Sequence, residues 1–153
     1  MTATRKNAIP GLIINGVISA ASGVIGYMLL DSVLKNGFEG VEFDTTGNGE
    51  MGLILLLVAG MVYVAAAIPL FYSIWVGLSA IFKLFQLLTG KWGFAVPGVI
   101  FDCIWLMTNL GFFTFCLGMP SGWIVAIFVL VLVALSVVSV VFDFKTFVDK
   151  NED

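Results

Sequence analysis

Histidine is absent and charge is scarce: only 11% of the 153 residues are Asp, Glu, Lys or Arg. Soluble domains carry about 25% charged residues. The shortage excludes an ordinary water-facing surface. The remainder is 60% hydrophobic, with a mean hydropathy of +1.10. A chain this short has too little interior to hide that much apolar surface, so lipid is its expected solvent.

Other shortages narrow the chemistry. With no histidine and only two cysteines, a Cys/His metal centre is excluded. Cys103 and Cys116 stand thirteen residues apart in one apolar run, about 20 Å along a helix. That is beyond disulfide reach, so both read as small packing residues. No CxxC, no Gly-rich phosphate loop and no serine beside a base is present, so enzymatic chemistry and a bound cofactor are not expected. No basic patch with interleaved aromatics occurs, which removes nucleic acid as a partner.

What is present is a series of long apolar runs. Ile9 to Leu30 is 22 residues, a helical rise of about 33 Å against a hydrocarbon core of about 30 Å. "SAA" at 19–21 looks like a signal-peptidase site, but the apolar run continues past it, so an uncleaved anchor is expected. Residues 31–50 form an acidic, glycine-rich loop with Glu39, Glu42, Asp44 and Glu50. Its "GVEFD" alternates weakly, as a short strand would. Its "DTTGNGE" faintly resembles a calcium loop through Asp44, Asn48 and Glu50, but Thr46 breaks the ligand pattern. No metal site is therefore expected there.

Met51 to Leu88 is too long for one span and is divided by pattern. Residues 51–76 are apolar on every face and predict a span with Pro69 kinking it. Over 78–90, Leu78, Ile81, Phe82, Phe85 and Leu88 share one face, while Ser79, Lys83, Gln86 and Gly90 share the other. This pattern predicts an amphipathic interfacial helix, or an extension of the span. Pro97–Leu117 and Trp123–Phe142 are two further spans, joined by the tight turn "GMPSG". The last span has only Ser136 and Ser139 as polar side chains and is expected to face lipid or another subunit. The residues after Phe142 are expected to form a polar tail.

The sequence thus predicts an all-α integral membrane protein. It is a single four-span helix bundle, with spans at about 9–30, 51–76, 97–117 and 123–142 and an interfacial helix at 78–90. Four spans bring both termini to one side. Arg5, Lys6, Lys83, Lys91, Lys145 and Lys150, six of the seven basic residues, lie on that side, which the positive-inside rule makes cytoplasmic. Trp92 and Trp123 fall at span ends, as interface anchors do.

Within the spans, polar residues are few. Asp102 lies five residues into its span and Asn15 six into the first, depths of about 7.5 and 9 Å. The two are expected to meet inside the bundle, with Lys83 as a further partner that snorkels along the interface. Asn109 follows Asp102 on the same helical face. Asn15, Ser19, Ser22 and Gly26 make a matching small-polar stripe on the first span. Facing stripes of this kind hold helices together. Alternatively they line a path for an ion or solute. The expected function is that of a non-enzymatic scaffold, accessory or regulatory subunit acting through helix contacts with other membrane proteins or with itself. The alternative is a small oligomeric channel or transporter lined by Asp102, Asn15 and Asn109.

Overall fold

A computed structural model describes residues 2–36, 49–120 and 122–149, without the side chains of 49–53 and 55. The expected loop features of the outer segment, including Glu39, Glu42, Asp44 and Asn48 and the side chain of Glu50, lie outside the described residues. Among the described residues there are four α-helices: α1 (Ala3–Asn36), α2 (Gly49–Thr89), α3 (Ala95–Leu117) and α4 (Trp123–Val148). A 3₁₀ turn, Trp92–Phe94, leads into α3. Each helix is long and apolar enough to cross a membrane.

α1, α2 and α4 outrun the expected spans, their polar flanks continuing as helix. α2 is one continuous helix with Pro69 inside it. The separate interfacial helix expected at 78–90 is not formed: residues 78–89 are the last three turns of α2. Gly90 ends that helix. Its φ is +71°, a left-handed value that glycine adopts without strain. Its N–H donates to the Gln86 carbonyl at 2.8 Å, closing the helix as an αL cap does. The Arg5 guanidinium donates to the nearby Leu88 carbonyl at 3.1 Å, placing a cation at the negative end of the helix. α4 likewise continues through the expected polar tail to Val148.

The chain divides into two compact units, Ala20–Ile74 and Met1–Ser19 with Trp75–Asp153. In the first, the second half of α1 approaches the first half of α2 closely. A Cβ on Gly26 would lie 2.7 Å from the Leu70 backbone nitrogen, and one on Gly23 would lie 2.8 Å from Ser73 Oγ. Small residues let two backbones come this near.

The second unit gathers the start of α1, the end of α2, and all of α3 and α4. Its inner faces follow helical spacing: Asn7, Gly11 and Asn15 on α1; Val76, Ser79, Lys83 and Gln86 on α2; Gly98, Asp102, Trp105 and Asn109 on α3; Ser136, Ser139, Asp143 and Thr146 on α4. The outer faces carry Leu78, Ile81, Phe85, Ile100, Ile104, Val138, Val141 and Phe144, all exposed. Polar groups lie within and large apolar ones without, the reverse of a water-soluble domain and the arrangement that hydrocarbon favours. An apolar layer of Cys116, Ala126 and Val129, with Phe113 and Val133, packs α3 on α4 toward their connecting turn. Rings support the other end: Trp75 meets Phe101 edge-on at 4.7 Å between centroids, and its indole N–H donates to the Phe101 carbonyl at 3.3 Å.

Candidate functional site

Asp102 is fully buried, and donors from all three other helices surround it. Asn15 Nδ2 on α1 donates to Asp102 Oδ1 at 2.9 Å. Ser79 Oγ on α2 donates to the same oxygen. Ser139 Oγ on α4 donates to Oδ2. Lys83 Nζ on α2 lies 3.0 Å from Oδ2. Both carboxylate oxygens therefore accept two donors each, which compensates a charge removed from water.

Lys83 joins a second acid. Its ammonium also pairs with Asp143 Oδ1 on α4. The lysine side chain is 1% exposed and the two aspartates 1% or less. The stem of Lys83 lies against Gly11, where a Cβ would fall 2.7 Å from Cδ and Cε and 2.8 Å from Nζ. That glycine makes room for the ammonium to reach inward. A second layer lies about one turn toward the termini. There Gln86 Nε2 donates to the Thr4 carbonyl at 2.9 Å and to Thr146 Oγ1 at 3.3 Å. Asn7 Nδ2 donates to Asp149 Oδ2 at 3.0 Å.

The residues singled out by sequence are distributed as follows. Asn15, Asp102 and Lys83 are in mutual contact through the network. Ser19 sits against Gly77, its hydroxyl 2.8 Å from where a Cβ there would stand. Asn109 is buried but lies seven residues, about 10.5 Å, along α3 from Asp102, too far to share its hydrogen bonds. Ser22 is half-buried and belongs to the other unit.

Ser79, Ser139 and Asp143 are site residues that sequence reasoning missed. Ser79 and Gln86 stand on the expected polar face, but that face is turned inward rather than toward headgroups. The last span, expected to face lipid or another subunit, instead belongs to α4, which buries Ser136, Ser139 and Asp143 completely or nearly so. A signal existed: Ser136, Ser139, Asp143 and Thr146 recur at three- and four-residue steps, one face of a helix. Among the described residues no group of three or more His, Cys, Asp or Glu side chains is placed to hold a metal ion. The cluster is a cation already seated between carboxylates, an ionic tie among helices. No family model matches this sequence, and no characterised protein or solved structure is significantly similar to it.

Proposed function

We propose that this chain is a four-span integral membrane protein with both termini cytoplasmic, acting as a non-enzymatic subunit of a membrane assembly. The length of α2 carries the subunit reading. Its exposed large apolar side chains run from Ile54 to Leu88, a helical rise of about 51 Å. The corresponding stretches are Ile13–Leu34 on α1, Val96–Leu117 on α3 and Trp123–Val148 on α4, about 32–38 Å each. Three helices thus match a hydrocarbon core of about 30 Å with ordinary tilt, and α2 exceeds it. A neighbouring membrane protein, or a second copy, covers the surplus. A shallow groove on that part of α2, lined by Leu56, Leu57, Gly60, Met61, Val64 and Ile68, suits another helix. A Cβ at Gly60 would meet nothing within 4 Å, so the backbone there is open to close approach.

Mild-detergent purification with mass measurement tests this reading. A complex larger than one chain, dissociated by Gly60→Trp while the chain stays folded, is the expected result. A lone monomer that is active or stable in native membranes would refute it. The orientation rests on the basic residues at the terminal end of the spans, and protease accessibility of the termini in sealed vesicles tests it.

A second reading, a small ion or solute path, draws on one observation. Buried polar side chains continue along the interior of the second unit from Thr4, Gln86 and Thr146 to Asn15 and Ser139. It predicts flux in liposomes that Asp102→Asn alters, whereas the subunit reading predicts none.

A further inference from the structure

Two carboxyl groups face one ammonium in a pocket closed to solvent. With all three ionised the cluster holds one uncompensated negative charge. In a low-dielectric interior an uncompensated charge is costly, far more so than a paired one. The hydrogen bonds indicate how the imbalance is removed. Asp102 accepts from Asn15, Ser79, Ser139 and Lys83, the surroundings that an ionised carboxylate requires. Asp143 is placed differently. Its Oδ1 accepts from Lys83, but its Oδ2 is buried and, among the described residues, has no donor.

We propose that this cluster is a proton-binding site, holding one proton on Asp143 Oδ2, the carboxyl oxygen that no donor reaches. Lys83 and Asp102 then form a neutral ion pair, and neutral Asp143 completes the set. A metal cation is a poorer occupant, since the ammonium already stands between the two acids and would repel it. The groups that face the proton are Lys83 from α2 and Asp102 from α3, with the half-buried Cys103 next to Asp102 in the chain. The face of α1 at this level offers Gly11 and Asn15, which do not titrate. The site is independent of whether the chain has a partner, because it uses residues of one compact unit only.

Infrared spectroscopy of the full chain in lipid nanodiscs reads the proton directly. At neutral pH the wild type should show the carbonyl stretch of a protonated carboxyl, shifted on deuterium exchange and lost as the pH is raised. Asp143→Asn removes the extra acid and keeps the shape and neutrality of the cluster. It should fold, lose the band, and lose the fall in thermal stability expected of the wild type as the pH rises and the buried carboxyl gives up its proton. Lys83→Gln should strengthen the band, since two acids then lack a cation. Absence of the band from the wild type at neutral pH overturns the proposal and needs no variant to be folded. So does its persistence in Asp143→Asn.

Discussion

Lys83 Nζ stands 3.0 Å from Asp102 Oδ2 with both side chains sealed from solvent. An isolated ion pair of this kind adds little net stability, because desolvation offsets the attraction. Removing Asp102 is another matter: Lys83 keeps Asp143, but Asn15, Ser79 and Ser139 lose their acceptor. Asp102→Ala should destabilise the protein by about 1–3 kcal/mol for each buried donor left unsatisfied, whereas Asp102→Asn, which keeps an acceptor for the serines, should cost less. Unfolding in mixed micelles with increasing denaturing detergent measures both.

Gly11 gives Lys83 its room. Gly11→Ala sets a methyl group 2.7 Å from the lysine stem, and an overpacked interior costs about 1–3 kcal/mol. The cost should largely vanish when the lysine is first shortened, in Lys83→Ala. A double-mutant cycle with an interaction energy near zero would contradict the packing described.

Gly26 meets backbone as well as the Leu70 side chain. A Cβ there lies 2.7 Å from Leu70 N and 3.1 Å from the Pro69 carbonyl carbon. Backbone cannot swing aside, so Gly26→Ala should lower the unfolding temperature. Gly16→Ala, where a Cβ meets nothing within 4 Å, should be neutral or stabilising by up to about 1 kcal/mol from helix propensity. Thermal scans of the two variants side by side provide the comparison.

Asn15 and Asn109 are 0% and 3% exposed. In a variant without native cysteines, Asn15→Cys and Asn109→Cys should each resist a membrane-impermeant thiol reagent applied from either side. Rapid labelling at both positions would favour a water-filled path over a closed core.

Counting helix rise from the start of each span was enough to place Asn15 and Asp102 at one height, since parallel helices entering from the same side share a scale. The lysine was legible as a third member because its stem is long. The rest was hidden by the way hydropathy is read. A charge at the end of an apolar run looks like the place where a helix leaves the bilayer, so Asp143 read as tail. Inside a bundle the same charge ends nothing if a partner faces it, and α4 runs on for five more residues to Val148. Ser79, Lys83 and Gln86 were grouped correctly on one face. Only the direction of that face was wrong, because in oil the polar stripe is the inner one. Ser139 carried too little polarity to stand out within a run of valines.

The tie between Lys83 and Asp143 joins residues 60 positions apart, and it has a consequence for biogenesis. Ribosomes add about 5–20 residues per second, so the lysine emerges roughly 3–12 s before its distal counter-ion is made. During that interval the nascent chain carries a cation with no acid from the final helix to meet it. The insertion machinery has to shelter the incomplete chain until the last segment arrives. A premature stop between codons 83 and 102 produces a polypeptide whose lysine has neither Asp102 nor Asp143 to meet it, a natural target for quality-control proteolysis.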